Sequence, residues 1–176
     1  LYPGAYVIAG AYTRDQWSGF SNGARYPDET VAAGQTKTIS LGGETVHIRN
    51  MGTAHTPDDL VVYLESRKLL MTGDLVFLDM HPALFPEKGT VVSALIAALD
   101  TLAQSYDAKT VVPGHGPVST MAGVKSVRDY FSSIRDALDD QAKLAELREK
   151  YRGYYALPGM SSFDITVKTI MAERKQ

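Results

Sequence analysis

Apolar and polar positions alternate, cluster and then repeat at helical spacing along this chain. Thr36 to Leu41 and Glu44 to Asn50 surround the pair Gly42-Gly43, a two-residue hairpin signal, with Val46 and Ile48 on one face and His47 on the other. That placement reads His47 as a solvent-facing strand residue. Leu60 to Leu64 and Leu69 to Met71 are further apolar runs around Glu65-Ser66-Arg67-Lys68, predicting a second hairpin that returns to Thr72-Gly73-Asp74. Leu75 to Leu78 reads as a separate strand beginning near Asp74, and Thr110-Val111-Val112 as a short buried one. Val91, Val92, Leu95, Ile96, Leu99 and Leu102 recur at helical spacing, predicting an amphipathic helix over a sheet face. Val124, Val127, Phe131, Ile134 and Leu138 predict a second, beginning after Ser119-Thr120 and either breaking before or running into Lys143 to Tyr151. Phe163, Val167, Ile170 and Met171 form a last one after the turn Pro158-Gly159. Strand runs followed by long helices fit an α/β layer arrangement.

Residues 1–34 are less regular. A short apolar run, Tyr6 to Ala9, precedes a stretch rich in glycine and aromatics from Trp17 to Pro27 that shows no period. It reads either as a substrate-side loop or as a plain surface connection. The organisation expected is a single partial domain over 1–176: an irregular segment 1–34, a core 35–120 and a helical part 121–176.

Composition narrows the function classes. At 176 residues and 44% hydrophobic content the chain has enough apolar residues for one core. Lys and Arg number 18 against 20 Asp and Glu, and no basic patch alternates with aromatics, so nucleic acid is not the expected partner. With no cysteine, thiolate ligands, thiol nucleophiles and disulfides are excluded. No apolar run approaches the about 20 residues of a membrane span, and localisation stays open.

The candidate chemistry lies in three loops at predicted strand ends. His55 precedes Thr56-Pro57-Asp58-Asp59, in which Pro57 restrains its own backbone and that of Thr56. Asp74 follows Thr72-Gly73, and His115 sits in Pro113-Gly114-His115-Gly116-Pro117. Taken singly, a histidine beside glycines is commonly a surface residue, and an aspartate after glycine a turn residue or cap. Together, imidazoles and a carboxylate at strand ends suit zinc, or iron and manganese if more oxygen ligands join. His81, in Met80-His81-Pro82, either lies near a cleft mouth or packs against the following loop.

These segments resemble the metallo-beta-lactamase-fold hydrolases, a superfamily that also holds glyoxalase II-type thioesterases, lactonases and quinoprotein-associated hydrolases. HTPDDLVVYL resembles the family segment around its third histidine ligand, at His55; TGDLVF resembles that of the bridging aspartate, at Asp74; PGHGP resembles that of the last histidine ligand, at His115. The likeness is close over about residues 35–120. The family's HxHxDH motif has no counterpart in the sequence.

The resemblance implies the C-terminal half of an alpha-beta/beta-alpha sandwich, with a mainly antiparallel or mixed sheet covered by helices. It also implies a fragment of a hydrolase acting on an ester, thioester, lactone or related bond through water activated by one or two zinc ions, with iron or manganese as alternatives. Asp74, where the best-known zinc beta-lactamases carry cysteine, looks like the glyoxalase II and lactonase branches. His55, Asp74 and His115 would be metal ligands, no separate catalytic base is evident, and this chain alone would be inactive. The expected partners are a small-molecule substrate and either a missing N-terminal half or a second copy, with no membrane. The abrupt start Leu1-Tyr2-Pro3-Gly4 favours a fragment or processed form. The alternative is a catalytically inactive half-domain that serves dimerisation or protein interaction.

Overall fold

A computed structural model describes residues 4–17 and 26–175; the stretch 18–25, read from sequence as either a substrate-side loop or a plain surface connection, lies outside them. A small parallel pair, β1 (Ile8–Gly10) with β2 (Glu29–Val31), is accompanied by the short helix α1 (Ala11–Asp15). The main sheet has five strands in sequence order: β3 (Thr36–Leu41), β4 (Glu44–Asn50), β5 (Leu60–Leu64), β6 (Leu69–Phe77) and β7 (Thr110–His115). Neighbours run antiparallel except β6 and β7, which are parallel. A parallel pair needs a crossover, and α2 (Val92–Ser105) supplies it. Three helices follow, α3 (Met121–Asp136), α4 (Gln141–Lys150) and α5 (Phe163–Glu173).

Local chemistry sets the boundaries. Gly42 and Gly43 turn the β3–β4 hairpin with φ of 57° and 85°, the left-handed region a two-residue turn of this kind requires. Thr120, Asp140 and Ser162 cap α3, α4 and α5 by accepting from the N–H groups of Ala122, Lys143 and Ile165. The Asp140 cap is why the long helical pattern breaks after Asp136 instead of running on to Tyr151. The start of α2 is capped from far away: the Glu173 carboxylate, on α5, accepts from Val92 N–H at 2.7 Å and Ser93 N–H at 3.0 Å. Among the described residues no helix is long and apolar enough to cross a membrane.

Asp74 does not open a new strand. β6 is one nine-residue strand through Phe77, with register shifts against β7 at Gly73. A Cβ on Gly114 would stand 2.2 Å from Asp74 Oδ1 and 2.6 Å from the Gly73 carbonyl carbon, so the two strands approach closely only because glycine occupies that place.

The pleat divides the sheet's side chains. His47, Arg49, Val61, Tyr63, Leu70 and Val111 are aligned on one side by register. There Val61, Leu70 and Val111 are fully buried in the main core with Leu95, Leu99, Val127 and Phe131. On the other side Val46, Ile48, Leu60, Val62 and Leu64 form a smaller cluster with Ile8, Val31 and Ile39, contributed in part by β1 and β2. Beyond that cover the apolar side opens: Met71 is 39% exposed and Leu41 68%.

Candidate metal-ligand site

Each of the three sequence-identified side chains is delivered by a different device. The loop carrying His55 is closed by its own polar groups: Ala54 N–H donates to Thr56 C=O, and Thr56 donates from its N–H and hydroxyl to the Asp59 carboxylate. The loop is then tied to the approach to α2. Val91 N–H donates to Ala54 C=O, and the Thr90 hydroxyl donates to His55 C=O at 2.6 Å. Asp74 sits in β6 just past Gly73, whose φ is 51°. His115 ends β7 opposite Phe77, and Leu78 N–H donates to its carbonyl. Gly116 follows with φ of 95° and lies so near the Leu78 carbonyl that a Cβ would be 2.3 Å from that oxygen, which accounts for the second glycine of the PGHGP run.

The fold brings all three together. His55 Nε2 stands 3.7 Å from Asp74 Oδ2, and His115 Nε2 stands 3.4 Å from Asp74 Oδ1, so one carboxylate faces two imidazoles with one oxygen each. Phe77 organises both rings. It stacks on His115 with centroids 4.6 Å apart and an interplanar angle of 14°, and meets His55 at 5.5 Å, while Phe85 meets His55 edge-on at 6.4 Å.

The surroundings are unequal. The His55 side chain is 5% exposed, whereas those of His115 and Asp74 are 45% exposed. Burial pushes the His55 imidazole below its ordinary value, opposed by the nearby Asp74 and Asp59 carboxylates. The neutral ring is thereby favoured, the form a metal ligand needs. Burial raises the Asp59 carboxyl, and its bonds from Thr56 work in the other direction.

The donor set can be tested against a metal. In a tetrahedral site with bonds of about 2.0–2.1 Å, neighbouring donor atoms lie roughly 3.3 Å apart. Both imidazole–carboxylate separations are near that value and longer than a hydrogen bond, so each pair is spaced as two ligands of one ion. His55 Nδ1 is buried without a hydrogen-bond partner, so the second nitrogen lacks the acceptor that usually orients a ligating ring. Among the described residues no group of three or more His, Cys, Asp or Glu is arranged to hold a metal ion. Among the described residues the two imidazoles stand about the Asp74 carboxylate without making such a group.

The other two histidines stand apart from this group. His47 lies half-buried on the helix-facing side of β4, with Thr38 at Nδ1 and Glu65 at Nε2. His81 is buried rather than at a cleft mouth: its Nδ1 is 2.8 Å from the Tyr130 hydroxyl, which reaches Thr166, and Tyr154 and Phe163 flank the ring. The aromatic and glycine support of the site, Phe77 and Gly114, was missed from sequence. The glycines around His115 were the available signal.

Residues 9–115 match the metallo-beta-lactamase superfamily. The structure is similar to a metallo-beta-lactamase from Pontibacter korlensis, at TM-score 0.60 and 28% identity, covering 72% of this chain and 59% of that one. It is also similar to DIM-1 metallo-beta-lactamase exposed to ceftazidime, at TM-score 0.57 and 22% identity over 69% of this chain and 54% of that one. VMB-1 gives TM-score 0.56 and 24% identity, with coverage of 69% and 53%. The last two bear on fold alone. No curated protein matches the sequence. The chain spans little more than half the length of these solved structures.

Two expectations are corrected by these matches. The likeness is not that of a C-terminal half: it begins at residue 9, ends at 115, and so occupies the N-terminal and central parts of this chain. The physical reason is that the segment before residue 35 belongs to the fold, with Ile8 and Val31 packed on Val46 and Ile48, and the Asp58 carboxylate accepting from both Thr13 N–H and Asn50 Nδ2. The supported fold is an α/β sandwich of the metallo-beta-lactamase kind not restricted to one end of the chain.

Proposed function

Since the chain belongs to the metallo-beta-lactamase superfamily, we propose that it is an associating unit of a metal-dependent hydrolase, inactive alone, that brings His55, Asp74 and His115 to a site completed by a partner. The observation carrying this reading is the pair of imidazoles set against the two oxygens of one carboxylate. Zinc suits the donors best, with iron or manganese as alternatives. His55 with Asp74 would hold one ion and His115 with Asp74 a second, the remaining ligands coming from a segment of HxHxDH type or a second copy.

When bound, such ions supply Lewis-acid polarisation of a scissile carbonyl and acidification of water at neutral pH. The chain's own residues do the positioning. Asp74 holds the two ligand pairs together, Phe77 fixes both imidazole planes, and the Thr90 hydroxyl and Val91 N–H keep the His55 loop in place. The substrate class proposed is a small molecule with an ester, thioester, lactone or amide bond.

The association half of the proposal rests on the open apolar side of the sheet and on the absence, among the described residues, of any three-ligand cluster. A purely structural interaction module is the second reading, favoured by that same absence. Native mass spectrometry with metals retained, run on the chain and on Asp74→Asn, tests both. Expected is a multi-chain complex carrying zinc that loses it in Asp74→Asn, with ester turnover confined to that complex. A metal-free complex leaves the structural module as the function, and a metal-free monomer overturns both readings.

A further inference from the structure

A cavity of about 620 Å³ opens on the helix-covered side of the sheet, between the middle of β4, the end of β5 and the C-terminal end of α2. Lys68, on its rim, precedes β6, and Asp74 is six positions further on, about 20 Å at ~3.3 Å per residue. The cavity is therefore separate from the paired imidazoles.

Its charges are unevenly satisfied. Lys68 is ion-paired with Asp107 at the rim, and Glu65, with its side chain 59% exposed, is engaged by His47 Nε2 at 2.9 Å. His47 Nδ1 is occupied by the Thr38 hydroxyl, which leaves neither ring nitrogen free to act as a base. Arg49 differs. Its guanidinium carries five N–H donors, yet its partners among the described residues are neutral: the Ser105 hydroxyl at 3.4 Å from Nη1, and the Tyr106 hydroxyl. Its Nε is buried without any partner. A half-buried guanidinium without a carboxylate is poorly compensated, because removing it from water costs free energy that neutral, long contacts only partly return.

The walls beside Arg49 are flat and apolar. Tyr63 and Tyr106 lie with ring centroids 5.0 Å apart, and His47 stacks on Tyr63 at 6.2 Å. The cavity thus pairs a fork-shaped cation with aromatic surface. Such a combination recognises a planar oxyanion through two parallel hydrogen bonds and an attached flat body through stacking.

We propose that this cavity binds a small organic anion, a carboxylate on a planar unsaturated body, with the carboxylate on Arg49 and the body against the Tyr63 and Tyr106 rings. Neither the family match nor the paired imidazoles enter into this assignment. The neutral hydroxyls of Ser105 and Thr36 lie on the lining and complete the polar edge.

Titration calorimetry with benzoate as the probe tests it, with benzyl alcohol and inorganic phosphate as separate arms. Benzoate is expected to saturate one site per chain, with weaker binding of phosphate and none of benzyl alcohol. Arg49→Gln is expected to weaken benzoate about tenfold or more, the loss of a charge-assisted hydrogen-bonded pair. Tyr106→Leu, which keeps the cation, is expected to weaken benzoate by about threefold to tenfold, leaving phosphate unchanged. Asp74→Asn is expected to leave benzoate affinity unaltered. Circular dichroism on each variant verifies folding. Benzoate binding unchanged in a folded Arg49→Gln, abolished in Asp74→Asn, or replaced by phosphate binding alone would overturn the assignment, as would no saturable heat.

Discussion

β5 carries apolar side chains to both sides of the sheet, and the two sides are finished differently. Toward the helices, Val61 is sealed with Leu70 and Val111 under α2 and α3. On the reverse, Val62 and Leu64 are only partly buried in a small cluster beneath β1 and β2, and Met71 in the neighbouring strand is 39% exposed. A strand apolar on both faces is the pattern of a sheet with a layer on each side, so its sequence is written for more cover than the described residues supply. One face holds the fold together and the other is available to a second layer.

Breaking the sealed face has the largest expected effect. Leu99→Ala in α2 removes a fully buried side chain and is expected to cost about 2–5 kcal/mol in urea unfolding, whereas Met71→Ala should cost well under about 1 kcal/mol. Equal losses would abolish the distinction between the faces. Next comes Gly114→Ala, at the seam where β6 and β7 approach. The added Cβ has no space beside Asp74 and Gly73, so a loss of about 1–3 kcal/mol is expected in thermal unfolding, together with weaker zinc retention in mass spectrometry.

Acidity probes the sealed face in another way. Burial lowers the His81 imidazole below its ordinary value, so the folded chain holds it neutral while the unfolded chain protonates it near pH 6.5. The unfolded state then binds more protons between the two values, so stability present above about pH 6.5 is lost as pH falls through that window. His81→Gln is expected to flatten the stability profile between about pH 5 and 7 without erasing it, because burial also lowers His55. A slope unchanged in urea titrations would remove His81 from the account. The smallest stability effect belongs to the open face. Met71→Lys should shift stability by less than about 0.5 kcal/mol while reducing any self-association seen by analytical ultracentrifugation.

Much of this was readable from residue order where the physics is local. The Gly42-Gly43 turn, the helical spacing from Val92 to Leu102 and the strand-end position of His115 all depend on neighbours in sequence. Parallel pairing of β6 with β7 depends on a crossover of more than thirty positions, so nothing local announced that Asp74 lies inside one continuous strand or that Gly114 makes room for it. His47 was legible as a strand residue on the face opposite Val46 and Ile48. Val46 and Ile48 share one face and pack in a small cluster, whereas the larger core lies on the side of His47. The family resemblance was readable in three motifs, and its true span was not, because the β1 to β2 segment carries no motif and joins through packing.

The carboxylate of Glu173, which caps α2 from the last helix, ties events near the end of the chain to the loop before that helix. Val91 and Thr90 lie directly ahead of the capped N–H groups and hold the backbone of Ala54 and His55. Loosening α5 would therefore let the His55 loop drift relative to Asp74, so a change at Glu173, 80 positions from the Ser93 N–H that it caps, would detune the spacing of one imidazole pair and leave the His115 pair standing.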